Sequence, residues 1–82
     1  MELQDTIKYM CSGDYKERFK AEYWQLVERY NKLSAIIARY KAKTLDFEPK
    51  SDIKLLEAQT LYMEAYAGVL RDRAKLESIK LD

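Results

Sequence analysis

Histidine is absent from the 82 residues, cysteine and proline occur once each, and glycine occurs twice. Without histidine the chain lacks the usual general base, the Ser-His and Cys-His nucleophile pairs and the commonest transition-metal ligand. The expectation is therefore a non-enzymatic protein with no catalytic residue, metal or cofactor. Glu17, Glu22, Glu28, Glu57, Glu64 and Glu77 alternate with Lys and Arg, as carboxylates do on a solvated helix face. The lone Cys11 excludes an internal disulfide and fits a reducing compartment, where it serves as a small apolar residue. No stretch is uncharged for long enough to span a membrane, and residues 1–10 show no basic start followed by an apolar run. A cytoplasmic protein with no membrane partner is expected. The net charge of +1 supplies no overall field toward DNA or RNA, and the cations are interspersed with acids, so no nucleic-acid partner is expected either.

What the chain does have is helical periodicity. Phe19, Tyr23, Leu26, Tyr30, Leu33, Ile37 and Tyr40 recur at alternating steps of four and three, which keeps them on one face of an α-helix. Asp14 is a suitable N-cap, with Ser12 as the alternative, and Arg39, Lys41 and Lys43 suit the negative end of the helix dipole. A long helix over about 14–43 is predicted, roughly 40 Å at about 1.5 Å per residue. Before it, Leu3, Ile7 and Met10 mark a short helix over about 3–11 that stops near Gly13. Pro49 breaks the segment 44–51, where Leu45 and Phe47 are expected to fold back onto the hairpin end.

A second long helix is predicted over about 52–79, capped by Ser51 or Asp52. Leu55, Leu56, Tyr62, Met63, Tyr66, Val69, Leu70 and Leu76 lie on its broad apolar face. Gly68 within it would suit a close helix crossing. The short connection favours an antiparallel hairpin with residues near 70–76 beside those near 19–25. The fold class is all-α, a single domain of one short helix followed by a long helical hairpin. Trp24 and Val27 sit beside the main stripe, and a hairpin this small buries little, so a homo-oligomer packed through that flank is expected.

Lys16, Arg18 and Lys20 fall in the first two turns of the long helix, where positive charge opposes the dipole by about 0.3–1 kcal/mol each. They read either as surface charges offset by Asp14, Glu17 and Glu22, or as part of an anion site in which Tyr15 offers a flat face for a base. Tyr23, Tyr30, Tyr62 and Tyr66 occupy stripe positions and read first as packing residues. Arg71 and Arg73 suit the C-terminal dipole of the second helix, and Arg73 is in reach of Glu22 across the hairpin. The alternative makes both arginines phosphate clamps beside Tyr15.

The run MCSGDYKERFKAEYWQLVERYNKL, Met10 to Leu33, resembles a family of small phage and prophage proteins, and the likeness continues through TLDFEP and LRDRAKLESIKL. Tyr15, Lys16, Ala21, Glu22, Leu26 and Glu28 also resemble the start of the helical-hairpin sponges by which phages sequester cyclic nucleotide signals of anti-phage immunity. These are the anti-CBASS sponges and, in their N-terminal hairpin, the anti-Thoeris sponges. The resemblance implies a helical homo-oligomer, commonly a hexamer, that holds a cyclic nucleotide second messenger between subunits without cleaving it. Carried over by position, Tyr15 stacks on a base and Lys16 stands where a basic residue is usual.

Fifteen residues after the tyrosine, where that family places a phosphate-binding lysine, this chain has Tyr30, with Arg29 and Lys32 beside it. Either a neighbouring cation substitutes, or Tyr30 stacks and the ligand differs, or the pocket is absent. The candidate ligand-binding residues are therefore Tyr15, Lys16, Arg18, Arg29, Tyr30, Arg71 and Arg73, with cyclic di- and trinucleotides and cyclic ADP-ribose forms as candidate ligands. The competing reading is a small helical interaction module that inhibits or adapts a host protein through the Trp24 and Val27 flank.

Overall fold

The computed structural model describes residues 3, 4 and 13–81. Apart from Leu3 and Gln4, the expected short helix over 3–11, with Ile7, Met10 and Cys11, lies outside the described residues. Two α-helices make up the rest: α1 over Tyr15–Lys41 and α2 over Ile53–Leu76. Among the described residues there is no strand. Asp14 caps α1, its carboxylate accepting from the Lys16 backbone N–H at 2.8 Å, and Asp52 caps α2 by the same contact to Lys54 at 2.8 Å.

Both helices end alike. After α1, Lys43 takes a positive φ of 60°, and the N–H groups of Lys43 and Thr44 donate back to the carbonyls of Tyr40 and Arg39. After α2, Ser78 takes φ 56°, and Ser78 and Ile79 donate to Lys75 and Ala74. This paired closure satisfies the orphan carbonyls of the last turn and normally recruits glycine at the left-handed position. It also ends α2 at Leu76, short of the predicted Ile79, and turns the following residues back toward the hairpin.

The helices pack antiparallel. Phe19 and Tyr23 of α1, Ala67, Leu70 and Ala74 of α2, and Ile79 beyond it form one buried cluster, with Trp24, Leu26, Val27 and Leu81 packed against it. Phe19 and Tyr23 are bulky, and the α2 row that faces them is rich in alanine, a large-to-small pairing that fills the space between two helix axes. The core therefore sits toward the open end of the hairpin. At the closed end Ile37 is buried, but Phe47 is 55% exposed, so its predicted return onto the hairpin is not observed. The ion pair of Lys41 with Glu57, 2.9 Å, lies in solvent there and contributes about 0–1 kcal/mol.

Three further expectations are corrected. Trp24 and Val27 do not form an uncovered flank: both pack on the core, the Trp24 indole donates to the carbonyl of Leu81, and Val27 lines a groove between the helices. Tyr62 and Tyr66 are not interior residues; they are 72% and 46% exposed, because the alanine row of α2, and not its bulky row, faces α1. Gly68 marks no close crossing, since a Cβ there would meet only the Arg71 guanidinium at 3.6 Å, an ordinary contact. Gly68→Ala is accordingly expected to stabilise the fold by about 1 kcal/mol through helix propensity alone. Thermal unfolding should show a rise of about 4–8 °C; a fall in Tm would mean that the site is tighter than its geometry.

The principal extents are 43 × 24 × 18 Å and the radius of gyration is 14.9 Å, against about 12 Å for a compact domain of this length. The chain is a rod. No helix among the described residues is long and apolar enough to cross a membrane.

Candidate ligand-binding site

The antiparallel register brings two sets of side chains together. Reflection through residue 47, midway between Lys41 and Ile53, pairs Tyr23 with Arg71, Val27 with Ala67, and Tyr30 with Glu64. These six residues and Asn31 line a groove of about 220 Å³. Arg71 Nη1 lies 3.4 Å from the Tyr23 hydroxyl, and the Tyr23 ring meets the Trp24 indole edge-on at 5.2 Å between centroids. The hydrogen bond to Tyr23 is the main reason that the Arg71 guanidinium is held above its ordinary value, with Asp72 and Glu64 adding to it.

The groove thus offers an aromatic wall from Tyr30, a fixed cation from Arg71, a carboxylate from Glu64 and an amide from Asn31. That set matches a flat heterocycle with polar edges: the ring stacks, the carboxylate accepts from an exocyclic amine, and the guanidinium donates to a ring acceptor or phosphate. At about 220 Å³ it is smaller than the 300–1,000 Å³ typical of drug-sized pockets, so one chain can enclose a single base but not a dinucleotide.

The second set lies at the open end. The Tyr15 hydroxyl donates to Glu77 Oε1 at 2.8 Å and accepts from Arg73 Nη2 at 2.8 Å, and Arg73 Nε contacts Glu77 Oε2 at 3.3 Å. The Arg73 guanidinium also sits 5.0 Å above the Phe19 ring, and the Tyr15 ring leans against Phe19 at 6.2 Å. Glu22, predicted to meet Arg73, instead accepts from the Tyr66 hydroxyl at 2.7 Å.

Tyr15 and Arg73 therefore share one cluster, and Tyr30 and Arg71 share the other. The two arginines cannot clamp one ligand from within one chain, because residues two apart on a helix point about 200° apart. Lys16, Arg18 and Arg29 are exposed, and none of the three lines the groove. Tyr23, Asn31, Glu64, Phe19 and Glu77 were not singled out as binding residues from the sequence. Reflection through the loop centre would have found Tyr23 and Glu64, as the counterparts of Arg71 and Tyr30.

Both surface tyrosine contacts carry a pH dependence. Tyr15 is raised above its ordinary value of 10.0, chiefly by donating to Glu77, and Tyr66 is raised, chiefly by donating to Glu22. A tyrosine whose folded pKa exceeds its unfolded one contributes stability that is complete below about pH 10 and is lost as pH rises through the folded value. Thermal unfolding should show stability falling above about pH 10, with a shallower fall in a Tyr15→Phe, Tyr66→Phe double variant. Equal slopes for the two proteins would contradict these contacts.

Among the described residues no group of three or more histidine, cysteine, aspartate or glutamate side chains is placed to hold a metal ion. Comparison with known proteins finds no matching curated protein and no matching solved structure. A family model described as Sequestin does match, over residues 13–76, a span that includes both helices and all seven candidate residues. That span is well over half of the 82 residues, and the chain belongs to the Sequestin family.

Proposed function

We propose that this protein is a non-enzymatic phage counter-defence factor that sequesters a nucleotide immune signal of the cyclic dinucleotide, cyclic trinucleotide or cyclic ADP-ribose type. Family membership carries the reading, since the name Sequestin is compatible with sequestering a ligand. The chemistry of the groove supports it. One base stacks on Tyr30 and is read by Glu64 and Arg71, and the groove's small volume leaves the rest of the signal to be held by a neighbouring subunit. There the Tyr15 and Arg73 cluster, with Lys16 and Arg18 nearby in sequence, offers a second aromatic face and the positive charge for phosphates.

The working assembly is a homo-oligomer, with a hexamer favoured by the resemblance to the sponges, acting in the cytoplasm of the infected cell. The competing reading, a helical adaptor for a host protein, is less supported, because Leu81 packs on Trp24 and accepts from its indole, while Val27 lines the groove.

Trapping is tested apart from cleavage. The protein is incubated with a bound signal and denatured by heat, and the released nucleotide is analysed by mass spectrometry. Recovery of unchanged nucleotide is expected. A linearised or hydrolysed product would make the protein an enzyme and overturn the reading.

A further inference from the structure

Among the described residues, one face of α2 is largely uncovered, although Tyr66 and Arg73 at its edge reach Glu22 and Tyr15 of α1. Leu55, Tyr62, Val69 and Leu76 are 66%, 72%, 55% and 87% exposed, and Tyr66 is 46% exposed. Together with Gln59 and Arg73 they recur at steps of four and three through three heptads, the spacing of a helix–helix seam. The seam lies roughly 110° around the helix from the row of Ala67, Leu70 and Ala74 that packs on α1.

From Leu55 to Val69 this face carries no charge at all, in a chain of which 35% is charged, and Ala58 and Ala65 flank it with small side chains. A charge-free, tyrosine-bearing centre is the composition of a protein interface and not of a solvated surface. A shallow groove of about 430 Å³ already runs along it, from Leu55 to Tyr66.

The seam is also self-complementary. Reflection through the point between Ala65 and Tyr66 pairs Leu55 with Leu76, Tyr62 with Val69, and Tyr66 with Ala65, so apolar groups meet apolar groups at these three levels. An isologous contact requires this, because residue i must meet j while j meets i. The polar positions choose the direction. A parallel pairing sets Arg73 against Arg73 and Asp72 against Asp72, whereas the antiparallel one sets Arg73 against Ala58 and Asp72 against Gln59.

We infer that a second copy of this chain packs its α2 antiparallel on this face, about a local two-fold axis near Tyr66. The partner subunit's Ala58 then lies over Arg73 and the partner subunit's Leu55 over Leu76, beside the Tyr15, Phe19 and Glu77 cluster, so each cluster is completed by the other subunit. The inference rests on the oligomeric part of the function proposed above and does not depend on which signal is bound.

Cross-linking tests the register in the full chain carrying Cys11→Ser. Leu55→Cys combined with Leu76→Cys should give a covalent dimer in mild oxidant, and Leu55→Cys alone should not. Sedimentation of the otherwise native chain tests the face. Tyr62→Glu, at a side chain 72% exposed in the single chain, should lower the assembled mass by at least half while helicity is unchanged. Adding Val69→Lys should restore the mass by opposing the new carboxylate.

Cross-linking through Leu55→Cys alone, or an assembled mass that Tyr62→Glu leaves unchanged, would overturn the inference. A chain that still bound a signal tightly in either case would leave the functional proposal standing. Conversely, a dimer of the predicted register that bound no nucleotide would overturn only the function.

Discussion

Leu70→Ala is expected to cost about 3–5 kcal/mol and to lower Tm by at least 10 °C, roughly, because it empties the centre of the core. Leu70 is fully buried, enclosed by Phe19, Tyr23, Ala67, Ala74 and Ile79. Its neighbours are two alanines, Ile79 and two rings on α1, so the cavity has little means of collapsing. A chain of this length has a total stability of roughly 4–12 kcal/mol, and the loss is a large part of it.

Leu76→Ala gives the contrast, since that side chain is 87% exposed in the single chain. At protein concentrations low enough to dissociate the assembly, it should change stability by less than about 0.5 kcal/mol. Circular dichroism melts of the two variants measure both. A Leu70→Ala cost below about 1 kcal/mol would mean that the hairpin is not held by this cluster.

Tyr30→Ala is expected to weaken signal binding by roughly 5- to 150-fold, the loss of one base stack, with little change in Tm. Tyr30 is the aromatic wall of the groove, and its α2 neighbours there, Glu64 and Arg71, are themselves exposed, so truncation opens no core cavity. Arg29→Ala serves as the control. Arg29 is the adjacent cation, is exposed and does not line the groove, and its removal should leave affinity within about twofold. The three alternatives left open at Tyr30 by the sequence separate here. An unchanged affinity for Tyr30→Ala with a large loss for Arg29→Ala would favour cation substitution over stacking.

Periodicity made α1 legible in the sequence. Phe19, Tyr23 and Ile37, all stripe positions, are buried, as an uninterrupted run at steps of four and three requires, whereas Tyr40 at the end of the stripe is exposed and Ala21, off it, is buried as well. On α2 the same method met two adjacent apolar rows, one bulky and one rich in alanine. The predicted face spanned both: Leu70 from it is fully buried, whereas Leu55, Tyr62, Val69 and Leu76 are exposed, because the bulk of Phe19 and Tyr23 already fills the space across the hairpin and the row of Ala67, Leu70 and Ala74 fits against it.

The turn after α2 was illegible for a different reason. Ser78 occupies a left-handed position where glycine is the usual signal, so nothing in the sequence announced that residues 79–81 would fold back over Trp24. For the candidate site, residue types were legible and their grouping was not. Arg71 and Arg73 read as a pair because they are close in sequence, whereas helical geometry places them on opposite flanks of α2.

The measurement closest to the central claim is a calorimetric titration of the wild-type protein with cyclic di- and trinucleotides and cyclic ADP-ribose isomers. The account predicts tight binding of at least one of them, saturating at a stoichiometry set by pockets shared between subunits. Silence across the whole panel, from a protein shown by circular dichroism to be folded, would contradict it.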